Sequence, residues 1–262
     1  MTMWYKLGVI VVLLAIFMYL SHRLFKSMPW KRFQLRRASI MAANGSIDKM
    51  LRFLERNRDR SSVSDPLTNA LVYFLIRAKS FDRAEKIVNE AMTRGDDSGR
   101  ALAQLGYIAG GREDPETAED YYRRAIDKDE SLKSTINVNL AALLIDEEER
   151  LDEAEHLLEE ALEMREGISR SGVHVNLAIL HMKRDQPRKA LVQAQTAYEL
   201  MPSADATKRS RAHALALASR AYVNLGEKEE SRKMATKAIK LLKGAPADDN
   251  LVKELKHLAE GA

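Results

Sequence analysis

Histidine is the side chain best suited to proton transfer or metal ligation near neutral pH, and this sequence of 262 residues holds six. His174 and His181 lie seven apart, so on a helix they share a face but sit roughly 10 Å apart along it, too far for one metal ion. There is no cysteine, which excludes disulfides, thiolate zinc sites, thiol nucleophiles and a lipidated N-terminal cysteine. Neighbouring carboxylates such as Glu159 and Glu160 point apart on a helix and read as a solvated face. No glycine-rich phosphate loop is present, and Gly110-Gly111 reads as a helix-ending turn. No catalytic residue, cofactor or metal site is therefore expected, and the function classes that remain are binding and structure. A basic stripe of Lys208, Arg209, Arg211, Arg232, Lys233, Lys237, Lys240 and Lys243 raises nucleic acid as a partner. No aromatic residues interleave there to stack bases, so a solvated or acid-facing surface is the expectation.

The elements available to position any binding residue are helices. The chain is rich in Ala, Leu, Glu, Lys and Arg and has only six prolines, and those residues lose little side-chain freedom in a helix. Charge is segregated: residues 21–64 carry 11 basic and 3 acidic side chains, whereas 113–166 carry 6 and 19. Such separation presents surfaces of opposite sign and acts on partner choice rather than on fold.

Residues 7–20 read LGVIVVLLAIFMYL, from Leu7 to Leu20, with no charge. Trp4 and Tyr5 precede the run, as rings at the headgroup level do. Residues 3–21 approach the roughly 20 needed to cross a bilayer, so a single transmembrane anchor is expected there. A cleaved signal peptide would carry basic residues before the run and small ones at the cut. Here the charge follows it, at Arg23, Lys26, Lys31, Arg32, Arg36 and Arg37. The same charges place the N-terminus outside and the rest of the chain in the cytoplasm, with a bacterial inner membrane as the expected setting. Residues 22–36 form a basic juxtamembrane segment that alternates cations with Leu24, Phe25, Trp30 and Phe33, which suits either anionic lipid contact or a plain linker.

Beyond it, small residues recur in phase. Met50, Ala84 and Ala118 are spaced by 34, and Ala154 and Ala190 each follow by 36. Ala91, Ala125, Ala161, Ala197 and Ala238 form a second series, and Leu71, Leu105, Leu140 and Leu177 a third. Small side chains at helix crossings let two helices approach closely, with Leu and Tyr filling the gaps beside them. The unit Leu105-Gly106, Ala118, Tyr121, Tyr122 and Ala125, and the unit NLAIL (176–180), Ala190, Ala194, Ala197 and Pro202, resemble the tetratricopeptide repeat. The resemblance implies an all-α fold, an α-solenoid of about six helical hairpins over residues 37–245 after the transmembrane helix. Residues 246–262 should form a cap helix with Leu251, Leu255 and Leu258 on one stripe.

In that family the first helices of successive hairpins line a concave groove that takes peptides or helices. Carried over residue by residue, the groove positions are Asn69, Tyr73, Arg77, Tyr107, Val138, Ile145, Val175, Ile179, Met182 and Arg220. Asn139 and Asn176 fall where chaperone-binding members grip a carboxylate, but the accompanying lysines and arginine are not evident. The expected function is a membrane-anchored scaffold or adaptor, not an enzyme, that recruits a protein or peptide partner. The alternatives are a receptor for translocation or envelope assembly, and a structural protein that self-associates.

Overall fold

The computed structural model describes residues 28–43, 46–147, 150–164, 169–203, 207–244 and 249–260. The anchor expected at residues 3–21, with Trp4, Tyr5, Leu7 and Leu20, lies outside the described residues. Among the described residues no helix is long and apolar enough to cross a membrane.

The described residues hold thirteen α-helices. They are α1 (Met28–Ala43), α2 (Ile47–Asn57), α3 (Pro66–Arg77), α4 (Phe81–Thr93), α5 (Gly99–Gly111) and α6 (Pro115–Lys128). After a 3-10 turn at Glu130–Leu132 come α7 (Lys133–Glu147), α8 (Leu151–Glu163), α9 (Arg170–Lys183), α10 (Pro187–Leu200), α11 (Lys208–Asn224), α12 (Lys228–Leu241) and α13 (Asn250–Glu260). The described residues fall into two compact units, unit 1 up to Ala125 and unit 2 from Ile126.

Within each unit the packing is that of stacked hairpins. In unit 1, α1 packs on α2 and on α3, and α3 packs on α4 and on α5. In unit 2, first helices α7, α9, α11 and the cap α13 pack one on the next, while α8, α10 and α12 each bridge two of them. The in-phase series explains this stacking. Met50, Ala84, Ala91, Ala118, Ala125, Ala154, Ala161, Ala190, Ala197 and Ala238 are all at most 1% exposed. Leu71, Leu105, Leu140 and Leu177 lie buried beside them.

Four of the hairpins turn in the same way. Lys79, Glu113, Asp185 and Gly226 have φ of 54°, 64°, 53° and 77°. The N–H of the residue after each bonds back to a carbonyl in the last turn of the helix: Ser80 to Leu75, Asp114 to Ala109, Gln186 to His181 and Glu227 to Tyr222, at 2.8 to 3.1 Å. This left-handed closure satisfies carbonyls that the helix end leaves free. The Gly110-Gly111 reading is corrected here, because α5 runs through both glycines and the chain reverses at Glu113. Gly111 is small for a packing reason: a Cβ there would lie 2.4 Å from the Phe81 ring.

Helix starts follow short polar residues. Asp65 precedes Pro66 and accepts from the N–H groups of Leu67 (3.1 Å) and Thr68 (3.0 Å), and it pairs with Lys31 of α1. Ser98 and Ser169 cap α5 and α9 in the same manner. Helix α1 runs across the 36/37 boundary between the expected basic segment and the array. Gln34 and Ala38 are buried against the hairpin, Arg32 and Arg36 are exposed, and Arg37 lies over the Phe53 ring of α2.

Candidate functional site

In unit 1 the first helices α3 and α5 lie side by side. Asn69, Tyr73 and Arg77 are four apart on α3 and so share a face. Asn69 Oδ1 accepts a hydrogen bond from Gln104 Nε2 of α5 at 3.1 Å, which ties the two helices together along that face. Tyr73 is 54% exposed, its ring edge-on to Phe74 at 5.5 Å, and Arg77 is exposed. Tyr107, at the equivalent phase of α5, is 37% exposed. Its ring stands perpendicular to Tyr122 of α6, with centroids 5.8 Å apart.

Tyr122 is the support of that arrangement. It is buried over Gly106, where a Cβ would come 2.6 Å from its ring. Burial pushes the Tyr122 hydroxyl far above its ordinary range, so it stays neutral. An exposed ring resting on a buried ring is pre-ordered, and a guest side chain that meets it costs little further ordering.

In unit 2 the expected positions fall on α7, α9 and α11. Val138 is half-buried and its carbonyl accepts from Asn176 Nδ2 at 3.3 Å, so Asn176 bridges two first helices. Val175 and Ile179 are half-buried against Ala178, Ala194, Leu217 and Ala218. Met182 is half-buried, and Arg220 is exposed and paired with Glu254 of α13 at 2.6 Å. Ile145 requires a correction. It is 2% exposed and belongs to the core of unit 2, where α7 packs on both α8 and α9. Gln104 was not among the expected residues. It lies 35 residues after Asn69, one step off the 34-residue phase, which is why the periodicity passes over it.

The titratable groups singled out by type are engaged in packing. His174 Nδ1 meets Gln193 Oε1 at 2.6 Å. His181 is buried with Nε2 3.9 Å from Glu155, and its burial lowers its pKa. Among the described residues no group of three or more metal-ligand side chains is gathered. The basic stripe is largely paired: Arg209 with Asp249, Arg232 with Glu229 and Lys233 with Glu230. Arg211 and Lys237 both stack on the Tyr198 ring, at 4.1 and 4.3 Å. A cleft of about 430 Å³ between α12 and α13, lined by Ile239, Lys240, Leu242, Lys243, Gly244, Val252 and Lys256, contains none of the first-helix positions.

Tetratricopeptide repeat models match residues 99–131, 138–168 and 212–241, which are hairpins α5–α6, α7–α8 and α11–α12. No curated protein sequence matches the chain. Among solved structures it is similar to yeast Tom70, with a TM-score of 0.61 and 14% identity over 86% of this chain and 46% of that one. It is similar to a thermophilic tetratricopeptide repeat protein of Thermus thermophilus, with a TM-score of 0.57 and 16% identity over 72% and 95%. It also resembles BtubC of P. vanneervenii, with a TM-score of 0.55 and 16% identity over 82% and 91%. At these identities the likeness is one of fold, an all-α tetratricopeptide-like stack.

Proposed function

We propose that this chain is a membrane-anchored scaffold that recruits a peptide or helical segment of a partner protein along its first helices. Tetratricopeptide repeats are generally non-enzymatic platforms for protein–protein interaction. The observation that carries the reading is the α3–α5 face. Tyr73 and Tyr107 stand partly exposed in phase, with the Asn69–Gln104 bond on the same pair of helices. Aromatic anchors on rigid supports are what binding hot spots are made of. Residues 3–21 anchor the array and the cations that follow hold it on the cytoplasmic side, which we assign to a bacterial inner membrane. Tethering raises the effective concentration of a client near its membrane partners without adding contacts.

The test is site-specific photocrosslinking of the full-length chain in native membranes, from Tyr107 and Ile179 and, as control, from Lys86 of α4. One dominant foreign protein trapped from Tyr107 and Ile179 but not from Lys86 is the expected result. Trapping from Lys86 alone sinks the first-helix assignment. Trapping of a second copy of this chain replaces the scaffold with a self-assembling protein.

A further inference from the structure

We infer that the outer face of α1 lies on the surface of an anionic bilayer, so that the first hairpin is docked on the membrane rather than merely tethered to it. This docking rests on the anchored-scaffold reading for the position of the hairpin near a bilayer.

Helix α1 has two unlike sides. One side, with Gln34 and Ala38, packs into unit 1, and Lys31 on that side is used up by Asp65, which caps α3. The other side carries Arg32, Phe33, Arg36 and Ile40. Phe33 is 51% and Ile40 54% exposed, and Trp30 stacks on Phe33 at 5.5 Å, which holds the ring in place. Among the described residues, seven large apolar side chains stand exposed, and Phe33, Ile40 and Ile47 of the first hairpin are three of them. Placing apolar side chains in water beside cations has no gain in a free monomer, but it matches a headgroup layer, which accepts both.

The charge of this face is one-signed. The first acidic residue of the whole sequence is Asp48, so α1 contains none. Among the described residues no carboxylate pairs with Arg32 or Arg36. Arg37 extends the face toward α2 by stacking on Phe53 at 5.2 Å, and α2 adds Lys49 and Arg52. The contrast with the C-terminal basic stripe is instructive, because that stripe is spent on Asp249, Glu229, Glu230 and Tyr198.

Distance selects the occupant. The eight residues from Leu20 to Met28 span at most about 28 Å when fully extended, which keeps α1 within reach of the headgroups whatever path they take. Attraction between exposed charges and an anionic surface acts over about 8 Å at physiological salt, so a hairpin held this close samples contact continually. A face with arginines interleaved with an aromatic and an aliphatic side chain then settles with its apolar groups just below the phosphates.

The absence of cysteine makes the test direct, since a single introduced thiol takes a spin label at one place. The full chain is placed in bilayer nanodiscs, with labels at Ile40→Cys, at Leu13→Cys in the anchor, and at Val192→Cys, an exposed site on α10. Collision with a water-soluble nickel relaxant is read in neutral and in roughly one-third anionic lipid. In anionic discs the Ile40 label should be shielded roughly ten-fold relative to Val192, and Arg32→Glu with Arg36→Glu should restore its exposure. An Ile40 label as open as Val192 in anionic discs overturns the docking. Shielding that is equal in neutral discs and indifferent to charge reversal overturns it too, because that result means a protein covers the face. Shielding of Leu13 with Ile40 open sinks the docking alone, whereas an open Leu13 with Ile40 shielded sinks the anchor alone.

Discussion

Two regions toward opposite ends of the chain reach the same helical packing by different means. Around α2 and α3 the core is built from Met50, Leu54, Leu67, Leu71 and Leu75, each fully buried, with the buried carboxylate Asp65 among them. Charge reinforces it: Arg58, with a side chain 2% exposed, hydrogen-bonds Glu90 at 2.5 Å and Glu55 at 3.0 Å. The hydrogen bond with Arg58 holds the Glu90 carboxyl below its ordinary range. Around α11 and α12 the core is mostly alanine, with Ala212, Ala214, Ala216, Ala218, Ala221, Ala235 and Ala238 beside Leu215, Leu217 and Leu255, and a buried hydroxyl pair, Ser219 to Ser231 at 2.8 Å, joins the two helices. Bulky interdigitation with fixed charges tolerates a wider helix spacing, whereas alanine and serine let backbones come close. The two ends should therefore fail differently, one by losing atoms and the other by gaining them.

The largest effect is expected at Asp65. Asp65→Ala removes the cap of α3 and leaves Lys31 without its partner, and should cost about 3 kcal/mol of unit 1 stability. Hydrogen exchange should quicken in α1 to α3 and leave α11 to α13 unchanged, because each hairpin leans only on its neighbours. Equal quickening at both ends would show that the two regions unfold as one. Next comes overpacking in the alanine region. Ala218→Leu should destabilise by about 2 kcal/mol in urea unfolding, since the close helices have no room to yield without shifting. A neutral result would mean that the alanines are small without being crowded, and the contrast between the ends would fall.

The smallest effect belongs to the turns, which the two regions share. Lys79→Gly and Glu113→Gly should each stabilise by about 1 kcal/mol, because a side chain in the left-handed region clashes with its own backbone. Gly226→Ala should destabilise by a similar amount through backbone strain alone, as nothing lies within 4 Å of a Cβ there. Melting curves that move the same way for all three substitutions would show that the turns are not equivalent.

Much of this arrangement was legible in the sequence. Small residues in phase predicted which faces pack, and every alanine of the two series is buried. Periodicity reports crossings well because a crossing is a steric demand on one residue type. It reports turns poorly, because Lys79 and Glu113 occupy a conformation usually given to glycine while Gly111 makes way for Phe81. It also misjudged Ile145, where residue type alone does not tell a wall between hairpins from a face open to a guest. Helix α1 was hard to read because a polar side chain, Gln34, is buried beside the apolar contacts of Leu35, Ala38 and Met41.

The common turn has a consequence for how this chain can be lengthened or spliced. Lys79 and Glu113 are 34 residues apart and Asp185 and Gly226 are 41 apart, yet the bonds that close the reversals are the same. Length variation is thus absorbed outside the reversal, and the reversal behaves as an indivisible joint. A hairpin cassette grafted into or out of this array should be cut after its second helix, never at the bend, if the recipient is to keep its register.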